Sequence, residues 1–425
     1  MFSSVNSSKE FNLVLEKYTY GGDAMGRLED GRAVFVPFGL PGERVRIRLT
    51  EEKRNFARGE LEEVLESSPQ RILPRCKHFG ICGGCHYQHL PYEEQLSAKT
   101  EILRDQLTRI GKLENPPVQK MVASPGPWNY RNHVQFHLTE NGRLGYIRAQ
   151  APTVFAVEEC HLPEGPLNEI WPQLEFEPGT DVERVALRAG KDHEAMLILE
   201  SNSPESPELE IEASISVAHV FDENALVIAG NDHVVISILG RDFRVSASSF
   251  FQVNTAMAEM MVDHLLTSFP ISLSTTLLDI YCGVGLFSAF FASKCERVIG
   301  VESSPSACED FSFNLDEFDN VELYEGLAED VLPALVRHVE NVATAPRRRV
   351  TYAIVDPPRA GLERRVVDGI LELQPPMLAY VSCDPSTLAR DAARLIRGGY
   401  KLKDVTPFDL FPHTYHIESI SVFEK

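Results

Sequence analysis

The chain has 425 residues, 43% of them hydrophobic and 24% charged, which excludes a largely disordered polymer and suits about three domains with cores of their own. Its net charge of −21 argues against a protein that coats nucleic acid indiscriminately, because phosphate binding needs Lys and Arg. No apolar run approaches the roughly 18 residues that cross a bilayer, and the opening MFSSVNSSKE lacks a basic stretch with an apolar core, so a cytoplasmic chain without membrane partners is expected, its 8 Cys serving as ligands or nucleophiles rather than disulfides.

Residues 8–67 alternate short apolar strands with Gly turns. Val34–Val36, then Val45, Ile47 and Leu49, then Leu61 and Val64 fit the strands of a small barrel. Five-stranded barrels of this kind often bind nucleic acid, and Arg44, Arg46, Arg48, Lys53, Arg54 and Arg58 offer the charge; a solvated β domain with outward Arg is the plainer reading. A second basic run is Arg347, Arg348 and Arg349. Residues 68–100 are Cys-rich and poor in regular structure. From about 101 to 245 a helix leads into a β-rich region, with NGRLGYI as a hairpin. Residues 158–212 hold 15 acidic residues against 3 basic, expected to form a solvated face turned away from any polyanion. From about residue 246, short apolar runs alternate with helix-length segments, the pattern of a doubly wound α/β sheet.

Four stretches carry chemistry. LLDIYCGVGLFS, residues 277–288, runs from an apolar strand through a Gly turn into a helix, and Glu302 ends the next strand. That order suits a nucleoside-like cofactor whose ribose hydroxyls meet a carboxylate; without a full GxGxxG, S-adenosylmethionine fits better than a dinucleotide, and an ordinary tight turn is the alternative. YAIVDPPRAGLE presents Asp356 at a strand end, where Pro fixes the chain; a simple helix cap is the alternative. LAYVSCDPSTLARD puts Cys383 at another strand tip, a candidate nucleophile or a small buried thiol, with Ser386 expected to cap the following helix. FPHTYHIES brings His413, His416 and Glu418 ahead of the closing strand, where a carboxylate can serve as a base. Apart from these, Cys76, Cys82 and Cys85 lie within ten residues, with Cys160 far downstream, a set suited to zinc or to an iron–sulfur cluster, the lone distant Cys favouring a cuboidal cluster.

Together these motifs are recognisable. The chain resembles the RNA uracil-C5 methyltransferase family, in the branch with an N-terminal TRAM domain and a [4Fe–4S] cluster. The resemblance spans nearly the whole length: GGDAMGR…PFGLPGE, CKHFGICGGCHYQHL with VEECHL, SFFQVN, LDIYCGVGLFS, DPPRAGL, SCDPSTLARD and FPHTYHIES, in order. It implies a multi-domain β and α/β chain: an OB-like TRAM barrel at 8–67, a central cluster-binding, β-rich RNA-binding domain at 68–245, and a Rossmann-like class I methyltransferase domain at 246–425. It implies Cys383 as nucleophile and Glu418 as base. Gln252, Tyr281, Glu302 and Asp356 would surround S-adenosylmethionine, Asp356 and Gln252 also meeting uracil. Cys76, Cys82, Cys85 and Cys160 would ligate the cluster, expected to be a structural staple. Leu286 stands where many members have Asn, which puts one polar contact to the cofactor in doubt.

The implied chemistry explains the residue types. Uracil C5 is a poor nucleophile until a thiolate adds at C6; C5 then takes the methyl group, a base removes the C5 proton, and the thiolate leaves. The target base must leave its stack, which favours loops over helices. A monomer acting on 23S ribosomal RNA is expected, with transfer RNA as the alternative substrate. A non-catalytic RNA-binding module is disfavoured by the presence of both Cys383 and Glu418, and a radical S-adenosylmethionine methylthiotransferase by the Cys spacing.

Overall fold

A computed structural model describes residues 10–207, 215–222, 224–341 and 350–425. Arg347, Arg348, Arg349, the end of the acidic stretch and the opening nine residues lie outside the described set. The chain divides into two compact units. One comprises Met1–Ile102, Ile147–Thr153 and Phe411–His416, the other Leu103–Tyr146, Val154–Leu410 and Ile417–Lys425.

The first unit begins with β1 (Glu10–Tyr18), β2 (Asp23–Arg27), β3 (Ala33–Pro37), β4 (Arg44–Glu52) and β5 (Phe56–Glu66). They form a closed barrel in the order β1-β2-β3-β5-β4. The period of two does the sorting: Val45 and Ile47 of β4 join Leu15, Val34 and Val36 inside, while Arg44, Arg46 and Arg48 point away from the core. Closure removes the unpaired edges that an open five-stranded sheet would expose. Residues 67–91 hold neither a helix nor an extended strand. Helix α1 (Tyr92–Arg109) starts earlier than the expected position near 101. Pro91 supplies the start, its carbonyl accepting the Glu94 and Gln95 N–H groups, and Glu93 and Glu94 suit the positive end of the helix.

In the second unit a seven-stranded sheet contains β6 (His133–Leu138), β7 (Leu144–Arg148), β8 (Ala151–Ala156), β9 (Val182–Ala189), β10 (Ala195–Ser201), β11 (Ser216–Phe221) and β12 (Asn224–Ala229). The β6–β7 hairpin falls where NGRLGYI predicts it, closed by the Gly142 N–H on the Thr139 carbonyl at 2.9 Å. Phe136 sits 5.0 Å from the Tyr146 ring and 5.5 Å from the Trp171 ring, anchoring helix α2 (Gly165–Ile170) and the turn after it to the sheet. Most acidic residues of the stretch that are described are exposed, but β9 and β10 within it are buried in the core rather than part of a solvated face. A separate hairpin, β13 (His233–Ile238) and β14 (Arg241–Ser246), follows.

The remainder runs α3 (Thr255–Ser268), β15 (Thr276–Ile280), α4 (Leu286–Ala292), β16 (Arg297–Glu302), α5 (Pro305–Asn314), β17 (Val321–Glu325), α6 (Ala328–Asn341), β18 (Tyr352–Val355), α7 (Arg364–Leu373), β19 (Met377–Ser382), α8 (Pro385–Arg397), β20 (Lys401–Phe408) and β21 (Glu418–Glu424). The sheet order is β17-β16-β15-β18-β19-β21-β20. Strands β15, β16, β17, β18 and β19 are parallel; β15, β16, β18 and β19 are buried on both faces, hence their apolar runs, while the edge strand β17 is partly exposed and mixed in sequence. The order reverses between β15 and β18, which opens a crevice at their carboxyl ends. Strand β21 alone runs against its neighbours. Its first residue therefore lies at the edge where the parallel strands end. Helix α8 is capped by Asp384, whose side chain accepts the Ser386 and Thr387 N–H groups. This corrects the expectation of Ser386: Asp384 ends the loop in an extended conformation, and Ser386 is already inside the first turn.

Candidate active site

The crevice is built from strand ends. Tyr281 follows β15 with φ 65°, and Gly283 and Gly285 also have positive φ, so the chain turns sharply before α4. Gly285 has no substitute: a Cβ there would lie 2.4 Å from Leu315 Cδ1. Glu302 closes β16. Its Oε2 accepts the Gly283 N–H at 2.9 Å, and its Oε1 accepts the Ser303 and Ser304 N–H groups at 2.7 and 2.9 Å. The carboxylate is thus fixed in place, with one lone pair, on Oε2, left over for a ligand hydroxyl. Nothing lies within 4 Å of a Cβ built on Gly283, so the turn leaves open space beside that carboxylate. These residues fit a nucleoside-bearing cofactor. Leu286, the first residue of α4, is buried, so the position offers a cofactor no polar atom.

Two further acids share the crevice. Asp279, inside β15, is fully buried; its Oδ2 accepts the Ser288 hydroxyl at 2.7 Å, and its Oδ1 has no hydrogen-bond partner among the described residues. Burial lifts its pKa to about 6, against the pull of Ser288. The sequence reading passed over this residue, although an Asp inside the apolar run TLLDI was the signal. Asp356 follows β18, and its N–H bonds the Ile280 carbonyl at 3.1 Å, tying the two sides of the crevice together. Burial, then the charges of Asp279 and Glu302, raise its pKa to about 7.

Cys383 follows β19, half-buried. Ser382 pairs with Ser419 across β19 and β21, so Cys383 and Glu418 occupy the next register position of the two strands. The Glu418 side chain is buried, and its charge acts on the thiol. Burial, Glu418, Asp356 and Asp384 push the Cys383 thiol up to about 12, while Arg359 opposes them. The group is therefore held as a thiol at neutral pH. Gln252 lies in the segment before α3, held by Asn132, whose side chain donates to the Gln252 carbonyl at 3.0 Å and to Thr255 Oγ1 at 3.0 Å. Arg188 of β9, buried, donates to the carbonyls of Ser246 and Ser249 at 2.6 and 2.7 Å. Asn132 and Arg188 were not singled out from sequence; their role depends on a sheet register invisible there.

The four cysteines stand in different local settings. Cys82 bridges to Phe79 and to Arg148, its N–H bonds the His78 carbonyl at 2.8 Å, and the Cys76 N–H bonds Gln88 Oε1 at 3.0 Å. Cys85 is buried, and Cys160 belongs to the second unit. Among the described residues, no three His, Cys, Asp or Glu side chains group to hold a metal ion. The segment bearing Cys76, Cys82 and Cys85 is held by these hydrogen bonds, and a cluster on the four cysteines stays an expectation of their spacing and of the family resemblance. The barrel basic residues are changed in meaning. Arg44 pairs with Glu66, Arg46 with Glu63, Arg48 with Glu60 and Glu62, Lys53 with Glu51, and Arg58 with Asp23. The antiparallel β4–β5 register brings the two signs together at Arg44, Arg46 and Arg48, so these three are neutralised.

Comparison with known proteins agrees with this architecture. The family described as tRNA (Uracil-5-)-methyltransferase matches residues 223–425, and the TRAM domain matches residues 9–61. An uncharacterized RNA methyltransferase of Aquifex aeolicus (strain VF5) is 34% identical, over 98% of this chain and 99% of its own. Another, of Halalkalibacterium halodurans, is 32% identical over 99% of this chain and 98% of its own. Among solved structures, the fold is similar to the Pyrococcus abyssi tRNA (uracil-54, C5)-methyltransferase in complex with S-adenosyl-L-homocysteine, with TM-score 0.72, 23% identity, and coverage of 97% of this chain and 99% of that one. With a TRAM barrel ahead of a doubly wound sheet and relatives alike along its whole length, the chain belongs to the RNA (uracil-5-)-methyltransferase family.

Proposed function

We propose that this enzyme methylates C5 of a specific uridine in RNA, with Cys383 attacking C6 and Glu418 removing the C5 proton. The observation that carries the reading is the β19–β21 register, which puts a thiol and a buried carboxylate at neighbouring strand ends on the crevice edge. S-adenosylmethionine, when bound, supplies an electrophilic methyl group. Glu302 would accept one of its ribose hydroxyls, and Tyr281, Gln252 and Asp356 would line the remaining space. Asp356, with a pKa of about 7, stands near the uracil face and changes charge at working pH. The half-buried Cys383 gives its proton to water before attack, Arg359 stabilises the thiolate that results, and C5, made electron-rich by sulfur adding at C6, takes the methyl group. Glu418 then takes the C5 proton, and the C6–sulfur bond breaks to restore the uracil ring. The division into a barrel at 8–67, a central part at 68–245 and a methyltransferase part at 246–425 belongs to the same proposal, with the barrel contacting RNA in the cytoplasm as part of a monomer.

The proposed substrate is 23S ribosomal RNA. Transfer RNA is the second reading, favoured by the substrate of the Pyrococcus abyssi neighbour. A [4Fe–4S] cluster on Cys76, Cys82, Cys85 and Cys160 rests on their spacing and on the family resemblance; iron and acid-labile sulfide in protein purified without oxygen decide it. The function is tested by tritium release from [5-³H]uracil in each RNA with S-adenosylmethionine, wild type beside Cys383→Ala. Release from ribosomal RNA, lost in the variant, supports the whole reading. Release from transfer RNA alone keeps the chemistry and replaces the substrate. No release from either, with cofactor bound, sinks it.

A further inference from the structure

One fully buried carboxylate of the second unit plays no part in the chemistry above. Asp391, on α8, has no exposed surface. Its Oδ2 accepts the Leu362 N–H at 2.8 Å and the Tyr380 hydroxyl at 3.0 Å. Its Oδ1 accepts Arg390 Nε at 2.8 Å and Arg394 Nη1 at 3.2 Å. Arg390 reaches on, its Nη2 donating to the Ala360 carbonyl at 2.9 Å. Between these two arms lies Gly361, with φ 74°. A Cβ at Gly361 would lie 2.5 Å from both Arg390 Nη2 and Asp391 Oδ2, so only glycine lets the loop come this close.

The bonds link the two loops that carry the proposed chemistry. Residues 356–362 leave β18 and bear Asp356 and Arg359. Helix α8 begins directly after Cys383 and Asp384. A buried carboxylate is expensive unless every lone pair is used, and here all of them point at partners. Apolar packing could hold a helix against a loop, but it would not fix their separation along defined directions. We propose that Asp391, with Arg390 as its second arm and Gly361 as the gap that admits them, is a positioning residue that sets where the 356–359 loop stands relative to Cys383. It touches no substrate and rests on the reading of Cys383 as the attacking thiol.

The groups that face that thiol are Glu418 on β21, Asp356 and Arg359 on the held loop, Asp384 beside it and Tyr380 on β19. Two of them move if the loop moves, one of each sign. The test uses the full chain as wild type, Gly361→Ala, Asp391→Asn and Asp391→Ala. Three quantities are read: kcat and KM for methylation, the dissociation constant for S-adenosylmethionine, and the pH profile of iodoacetamide alkylation at the Cys383 peptide by mass spectrometry. A displacement of about 1 Å costs on the order of 100-fold in rate. Gly361→Ala and Asp391→Ala are therefore expected to lower kcat by roughly 100-fold, to leave cofactor affinity within about twofold, and to shift the alkylation profile. Asp391→Asn keeps an acceptor for the Leu362 N–H and is expected to recover part of the loss. Where Asp391→Ala does not fold, Gly361→Ala and Asp391→Asn carry the test. An unchanged kcat and alkylation profile in soluble Gly361→Ala overturns the proposal. So does a parallel fall of kcat, cofactor affinity and melting temperature with the alkylation profile unmoved. A wild type that methylates no uracil defeats the functional reading instead, while the alkylation profiles still report whether the loop governs the thiol.

Discussion

The barrel and the catalytic sheet both spend charged residues in pairs, yet the pairs do different work. On the barrel, Arg44, Arg46 and Arg48 meet Glu66, Glu63, Glu60 and Glu62 across two neighbouring strands, with side chains such as Arg46 and Glu63 at 40% and 56% exposure. Such pairs are screened by water and salt and contribute little each. In the methyltransferase part, Asp310 and Asp391 are fully buried. Asp310 accepts the Ser246 N–H at 2.8 Å and the Ser246 hydroxyl at 2.6 Å, and pairs with Arg244 at 3.0 Å. A charge held this way fixes geometry, and its removal strands its partners. The same residue types therefore tune a surface in one place and set atomic positions in the other.

The contrast breaks first at Asp310. Asp310→Ala should cost about 3–5 kcal/mol, read from urea unfolding, because buried Arg188 loses its neighbouring counter-charge, Arg244 keeps only Asp232, and the Ser246 N–H loses its acceptor. A cost below about 1 kcal/mol would put Asp310 in the same class as the barrel pairs. Next comes Glu302→Ala, which removes a fixed acceptor and leaves three N–H groups without it. Affinity for S-adenosylmethionine by titration calorimetry should fall roughly 10- to 100-fold; equal affinity would remove Glu302 from the cofactor site.

Asp356 gives a pH signature. Its folded pKa of about 7 lies above the ordinary 3.8, so the fold favours its protonated form. The stability this group contributes is complete below pH 3.8 and is lost as pH rises through about 7. Asp356→Asn should therefore raise the melting temperature at pH 8 by a few degrees and flatten its dependence between pH 4 and 7. A lower melting temperature at pH 8 contradicts the buried-acid account. The smallest effect belongs to the barrel. Glu63→Gln frees Arg46 and should change stability by less than about 1 kcal/mol, yet steepen the salt dependence of RNA binding by up to about one unit. An unchanged salt slope would mean that this face of the barrel does not meet RNA.

Much of this was legible in the sequence, and the exceptions have a common cause. The barrel strands, the β6–β7 hairpin and the doubly wound pattern are local: period two, turn residues and continuous apolar runs identify them. The strand ends bearing Tyr281, Glu302, Asp356 and Cys383 were legible for the same reason. Pairing partners were not. The neutralisation of Arg44, Arg46 and Arg48 depends on the β4–β5 register, and the roles of Asn132, Arg188 and Asp391 depend on residues far away in the chain. Asp384 displaced Ser386 as the cap because a shift of two residues decides which side chain reaches the free N–H groups. The cysteine spacing named a ligand set, but spacing fixes no distance between side chains.

The direction of β21 also governs the order in which the sheet can be assembled. Strand β20 is made before β21, yet its place is outside it; its outer edge bonds the earlier segment 117–122, and its inner edge pairs with β21. Until residues 418–424 have emerged, the inner edge of Lys401–Phe408 and the facing edge of β19 are both open. The last step of sheet formation is thus the insertion of a strand between two that already exist. That step is slow in kind, because both of its edges must be matched at once. It is also the step that brings Glu418 to the crevice, so on the proposed mechanism the thiol is complete before the base that serves it, and catalytic competence arrives with the final strand.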